Sequence, residues 1–335
     1  MGPAVDERTA EKDAKGLVTE IYQTIGHGET DSLFSLLGDP IVVFGPRRGD
    51  AMRTRSDALV ALGKVVDPKA KKHAQLHSGG PWVVTSEGGH SAWVFDVVHL
   101  DGQMLAATAI LSNTDEIWVV TAAALAATPT AKQVKAQAAK NAVVPPGAMA
   151  AAGIDPNANA AVEKFKKGLV EPQAWGDDLA SRSDAVVAGP SAGDVAHGKT
   201  AIKQAWKARM KANVREAVSG EIAAAMTPDG QLVWISAPVT RVADQEGPLP
   251  LRVFAVYEKE GTGWRMIALH EALALDEPGS GTAFKKVLPP APAPPQSAPA
   301  TAPDKKPDDT VAAKKKPSAK SKKKSPKRPR PATDE

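Results

Sequence analysis

The sequence predicts an α+β protein in which one domain plan occurs twice in tandem, followed by a disordered basic tail. Three observations carry that prediction. Val42-Val43-Phe44-Gly45-Pro46-Arg47-Arg48-Gly49-Asp50 returns as Val186-Val187-Ala188-Gly189-Pro190-Ser191-Ala192-Gly193-Asp194, so that Gly45 and Gly189 stand 144 positions apart. The match continues with a drifting offset: Ser78-Gly79 answers Ser219-Gly220 and Trp93 answers Trp234 at 141, and Trp118 answers Trp264 at 146. Loop insertions and deletions produce such drift, and the spacing is far beyond the ~20–50 residues of a solenoid repeat. Finally, each copy opens with helix-spaced apolar residues and closes with alternating runs cut by turn signals, which is helices followed by an antiparallel meander.

In order, residues 1–14 read as a polar leader and residues 15–125 as the first domain. Leu17, Ile21 and Ile25 share one helical face, and Gly26-His27-Gly28 stops that helix. A short helix from Asp31 to Leu37 ends at Gly38, a strand covers Ile41 to Phe44, and Ser56-Asp57 cap a third helix from Ala58 to about Val66. Strands follow at 75–77, 81–86, 91–99, 104–112 and 116–124, separated by Gly-Gly, Asp101-Gly102 and Asn113-Thr114-Asp115. Residues 126–157, rich in Ala, Lys and Pro, form the linker, with a loose helix over 130–141. The second domain, 158–277, repeats the plan: helices at 160–169, 173–180 and 199–212, a strand at 185–188, then strands at 214–219, 221–226, 232–242, 249–259 and 264–275. From 278 onward, and above all after Leu288, proline with alanine and then lysine gives a composition that cannot bury enough apolar surface to offset chain entropy.

Composition narrows the chemistry. The 335 residues contain no cysteine, which excludes disulfides, thiolate metal sites and cysteine nucleophiles. The net charge of +4 is an average over unlike parts: residues 304–335 carry 12 Lys/Arg against 5 Asp/Glu, so the remainder is mildly acidic. The N-terminus has no apolar run of a signal or anchor, and no stretch approaches the roughly 18–20 apolar residues of a membrane span. A soluble, cytoplasmic protein without membrane contact is expected, and no cofactor is implied.

Three helices, a short strand ending in Gly-Pro and a long bent sheet resemble the NTF2-like superfamily, in particular its SnoaL-like, ketosteroid-isomerase-like branch. The closing motif, from Val253 through Tyr257-Glu258-Lys259-Glu260-Gly261-Thr262-Gly263-Trp264-Arg265 to His270-Glu271, is the most family-like piece. The resemblance covers about 15–125 and 158–277, and implies two cone-shaped domains, each with three helices packed on a curved antiparallel sheet. Because such domains dimerise through their sheets, it also implies that the two copies pack as an intramolecular pseudo-dimer. In ketosteroid isomerases the general-base Asp precedes the Pro that closes the first strand; here Gly45 and Gly189 stand there, and glycine takes no proton. Their oxyanion hole uses a Tyr of the first helix, near the place of Tyr22, and a protonated Asp on a late strand; the late strands 104–111 and 249–257 offer no buried Asp.

The remaining candidates are few. His270 is the best acid–base group, although adjacent strand residues face opposite ways, so His270 and Glu271 enter one pocket only through a bulge. Tyr22, Trp93, Trp234 and His270 are the ligand-pocket candidates, with core packing the competing reading for the paired tryptophans. His73 and His77 have metal-like spacing but no accompanying carboxylate, so no metal site is assigned. Asp50 and Asp194 read as turn caps. In the tail, Lys314, Lys315, Lys316, Lys320, Lys322, Lys323, Lys324, Lys327, Arg328 and Arg330 resemble linker-histone tails, which neutralise phosphates without reading bases. Three readings stay open: a non-catalytic binding or scaffolding protein for a small apolar ligand or protein partner, with a tail that attaches to nucleic acid or another polyanion; a SnoaL-like isomerase, cyclase or hydratase using the second pocket; and a nucleoid-associated protein acting through its tail.

Overall fold

The computed structural model describes residues 6–27, 29–45, 50–65, 76–100, 103–140, 153–244 and 247–274. The tail, and with it every lysine and arginine proposed for polyanions, lies outside the described residues, as do Pro46–Gly49 and His73.

The first half contains α1 (Glu7–His27), α2 (Thr30–Leu36), β1 (Leu37–Phe44), β2 (Ala51–Met52), α3 (Arg55–Val65), β3 (Leu76–Ser78), β4 (Trp82–Thr85), β5 (Ser91–Leu100), β6 (Gln103–Thr114) and β7 (Ile117–Ala127). Helix α1 begins well inside the expected leader, because Ala10 and Ala14 continue the buried stripe of Leu17 and Val18 at i, i+4 and i+3 spacing. Helix α4 (Ala131–Lys140) follows. Its start is a reciprocal cap: Gln133 N–H donates to Thr130 Oγ1, and Thr130 N–H donates to Gln133 Oε1. Ala138 of α4 joins the core of the second half.

The second half contains a 3-10 turn (Pro156–Ala158), α5 (Asn159–Val170), α6 (Pro172–Asp177), β8 (Val186–Ala188), β9 (Val195–His197), α7 (Gly198–Lys211), β10 (Arg215–Val218), β11 (Ala223–Met226), β12 (Leu232–Val242), β13 (Leu249–Glu260) and β14 (Gly263–Leu273). None of the described helices is long and apolar enough to cross a membrane.

Each half forms a seven-stranded sheet of identical topology. The orders are β2-β1-β7-β6-β5-β3 with β4 on β5, and β9-β8-β14-β13-β12-β10 with β11 on β12. Pairing is antiparallel apart from β1 with β7 and β8 with β14. The register breaks at matching places: between Ile110 and Leu111 in the β6–β7 ladder, and between Val256 and Tyr257 in the β13–β14 ladder. The extra residues are Thr121 and Ile267, 146 positions apart like Trp118 and Trp264.

Each sheet has two buried faces. One packs on its own helices: Ile41, Val43, Val94 and Leu111 with α1 and α2 in the first half, Val187, Val253 and Leu269 with α5, α6 and α7 in the second. The other faces meet, so Phe44, Trp93, Phe95, Ile110 and Ala124 share one apolar layer with Val186, Trp234, Phe254 and Ile267. At its edge the Asp229 carboxylate accepts hydrogen bonds from Ser86 Oγ (3.0 Å) and Ser91 Oγ (2.7 Å), both fully buried.

Candidate functional site

The cone between α1 and the first sheet encloses a cavity of about 110 Å³. Val18, Ile21, Tyr22 and Ile25 of α1 form its roof, and Ala107, Ala109 and Ala123 part of its floor. The small residues make the space. At 146 positions on, Ala107 is matched by Val253 and Ala123 by Leu269, both packed in the second half's core. There the cone is filled further by Phe165, Trp175, Trp206 and Tyr257, each less than 2% exposed. Trp175 stacks on Phe165 (6.3 Å between ring centres) and packs tilted against Trp206 (5.6 Å).

Tyr22 is the one sequence candidate that lies in the cavity wall. Beside it, on β5, is Asp96, which is 1% exposed. Asp96 shares the helix-facing side with Val94 and sits in register with Ala107. Burial first, and then the Asp96 carboxylate, push the Tyr22 phenol well above its ordinary pKa, so it stays neutral. Ser78 Oγ donates to Asp96 Oδ2 at 2.6 Å, while Gly80 N–H donates to Ser78 Oγ at 2.9 Å. Asp96 Oδ1 has no hydrogen-bond partner among the described residues.

Trp93, Trp234 and His270 do not line the cavity under α1; His270 borders only a crevice of about 10 Å³ beside Gly45, Arg252 and Phe254. Trp93 lies in the layer between the sheets and donates its Nε1–H to Thr108 Oγ1 (2.9 Å). Trp234 stacks on Phe254 at 6.0 Å in the same layer. His270 also faces that layer, edge-on to Phe95 at 5.6 Å. The reason is the extra residue Ile267. Without it, alternation from Met266 puts His270 in the cone; the bulge turns His270 outward and Glu271 inward. Burial lowers the His270 pKa to about 4, against the opposing pull of Glu271.

Glu271 anchors a network across four elements. It accepts two hydrogen bonds from Arg209 of α7 (2.5 and 2.6 Å) and pairs with Arg241 of β12 (2.5 Å), whose Nε donates to Glu216 of β10 (2.6 Å). Desolvation raises the carboxyl pKa, but the two guanidiniums outweigh it and hold Glu271 below the usual carboxylate range. Glu216 moves upward, because burial and the Glu271 charge exceed what Arg241 and Arg209 offset. The register-matched residue of the first half is Leu125, so this network has no counterpart there.

The repeated Gly-Pro turn has a steric basis. A Cβ on Gly45 would stand 2.7 Å from Asp50 Oδ2, and one on Gly189 would overlap the Asp194 carboxylate. The aspartate five residues later thus lies over the glycine, in the space a side chain there would need. Asp50 in turn sits in the field of the buried Arg252, which donates to the Gly45 carbonyl from the second half. Among the described residues no group of three or more His, Cys, Asp or Glu side chains is arranged to hold a metal ion; His77 is exposed on β3.

Residues 175–276 match the family model of the SnoaL-like domain. Among solved structures, an NTF2-like protein of unknown function from Pseudomonas putida KT2440 is 14% identical over 37% of this chain and 89% of its own, with a TM-score of 0.33. An NTF2-like protein from Cytophaga hutchinsonii ATCC 33406 is 15% identical over 37% and 99%, with a TM-score of 0.29. An uncharacterized protein with a cystatin-like fold from Caulobacter vibrioides is 13% identical over 36% and 92%, with a TM-score of 0.31. No curated protein matches the chain.

Proposed function

We propose that this chain, whose residues 175–276 form a SnoaL-like domain, is a non-catalytic binding protein: the first cone holds a small apolar ligand and the second is its scaffold. The observation that carries the reading is the asymmetry of the cones. Alanines at 107 and 123 leave a cavity of about 110 Å³ in one, where Val253 and Leu269 pack into the core of the other. A dry cavity of that order is large enough for a small ring; an engineered one of about 150 Å³ takes benzene. Absence of catalysis is supported by Gly45 at the place of the isomerase base, and by Asp50 lying in the field of Arg252 rather than standing free.

The test is toluene binding by ligand-observed NMR to the full-length protein and to Ala123→Leu, which installs the second half's residue in the first cavity. Binding by the parent and its loss in a folded Ala123→Leu protein is the expected result. No binding by the parent, or equal binding by both, overturns the reading. The tail adds a second activity to the proposal, attachment to nucleic acid or another polyanion, supported by its 12 Lys/Arg in 304–335. Counterion release makes such binding steeply salt-dependent. Duplex DNA should bind the full chain at low salt and not a chain ending at Leu288.

A further inference from the structure

The layer in which the two sheets meet holds one group that changes charge in acid. His270 of β14 is 4% exposed and edge-on to Phe95 of the first half, and its Nδ1 has no hydrogen-bond partner among the described residues. It borders a crevice of about 10 Å³ formed by Gly45, Ala124 and Ala126 of the first half and by Arg252, Phe254 and Ala272 of the second. A space of that size takes one water at most, so an imidazolium here cannot be hydrated unless the walls move.

The charges around His270 have the wrong sign for a proton. Phe254 is its register partner, and Arg252, two residues before Phe254, is its diagonal neighbour on the same face, donating to the Gly45 carbonyl across the layer. From β8 the register partner is Ala188, from β5 the contact is Phe95, and from β7 come Ala124 and Ala126; no carboxylate lines the crevice. Glu271, next on the strand, points to the other face, where Arg209 and Arg241 hold it, and Asp50 acts on Arg252. Protonation therefore puts a second cation near Arg252 in an apolar layer, and parting the sheets is what brings water to it.

We propose that the joint between the two halves is an acid-sensitive switch: protonation of His270 parts the sheets, while each half keeps the core under its own helices. The imidazole titrates at about 4 in the closed form and about 6.5 in water, so the open form binds the extra proton and opening grows as pH falls below 6.5. Between pH 7 and pH 4.5 the opening equilibrium should rise about 50-fold.

The chain has no cysteine, so a single introduced thiol reports on one place. Ala124→Cys puts it in the layer beside the crevice, and Ala92→Cys puts it under the helices of the first half; both alanines are buried. Labelling by 4,4′-dithiodipyridine, which reacts with thiols in acid, is followed on full-length protein at pH 7 and 4.5, relative to the urea-unfolded chain at the same pH. The relative rate should rise about 50-fold in Ala124→Cys and about tenfold less or lower in Ala92→Cys, and adding His270→Gln to Ala124→Cys should abolish the rise. Equal rises in the two variants show global unfolding and overturn the proposal, as does no rise in Ala124→Cys or one that survives His270→Gln. Should the His270→Gln protein fail to fold, the two single variants decide: a rise in Ala124→Cys less than about tenfold above that in Ala92→Cys overturns the switch.

Discussion

Gly168 lies in the interior of α5, where replacing glycine by alanine ordinarily stabilises by about 1 kcal/mol through helix propensity. Here the sign should reverse. A Cβ built on Gly168 would stand at covalent-bond distance from Nε1 and Cδ1 of Trp175. The indole occupies the space that a Cβ would need and packs against Phe165 and Trp206. With Trp175 only 1% exposed, the ring cannot slide without displacing that stack. Overpacking costs about 1–3 kcal/mol, and losing a buried Trp altogether about 3–5 kcal/mol. A Cβ at covalent-bond distance forces the ring out of its site, so, set against the propensity gain, Gly168→Ala should destabilise by roughly 2–4 kcal/mol. Urea denaturation followed by far-ultraviolet circular dichroism reads this directly. The decisive arm is the double mutant: in a Trp175→Ala background the obstacle is gone, and Gly168→Ala should be neutral or stabilising by up to about 1 kcal/mol. If Gly168→Ala stabilises the parent protein, the packing of α6 on α5 described above is wrong.

Three further outcomes follow from buried polar groups. The folded pKa of His270, about 4, lies below the unfolded value of about 6.5, so the unfolded chain binds the extra proton. Stability should be full above pH 6.5 and fall by about 3 kcal/mol as pH drops toward 4, a slope that His270→Gln flattens in denaturation curves across that window. Glu271→Gln leaves Arg209 and Arg241 with Glu216 alone and should cost about 3–5 kcal/mol by the same assay at pH 7. Asp229→Ala strips the acceptor from two fully buried serines and should cost about 2–4 kcal/mol, whereas Asp229→Asn retains an acceptor and should recover part of it.

Much of the architecture was legible because it depends on local period and on repetition. The helices-then-meander order, the turn glycines and the match of Trp93 with Trp234 follow from spacing alone, and the Thr130–Gln133 cap could be found as a short motif. The errors have physical causes. The leader was misjudged because alanines 10 and 14 carry little hydrophobic signal, though they suffice against a sheet. His270 stands out in sequence as an ionisable group near the end of the last strand, but its face depends on one extra residue at Ile267, which reverses the side of everything after it. Asp96 was passed over because an acid inside Val-Phe-Asp-Val-Val has no local partner. Its donor, Ser78, is 18 residues away on β3. The Arg209–Glu271–Arg241–Glu216 network spans four elements and 63 residues of chain, from 209 to 271, which no local pattern registers.

The two cones show how one duplicated plan divides its tasks. At matching register the first half places Asp96 on β5 and Leu125 on β7, while the second places Ala237 on β12 and Glu271 on β14. Each half thus buries one carboxylate around the same floor position, Ala107 or Val253, but satisfies it differently. Glu271 is neutralised in full by two arginines from its own half, and larger side chains close the space around it. That cone is filled by side chains. Asp96 receives hydroxyls, no cation among the described residues, and alanines beside it. The incompleteness is local, and the second half helps to hold it: Arg252 crosses from β13 to the Gly45 carbonyl at the end of β1, and Asp229 clamps the serines that flank the β4–β5 turn. A filled copy packed against one that keeps a cavity is the arrangement expected when only one of two duplicated sites keeps a binding role.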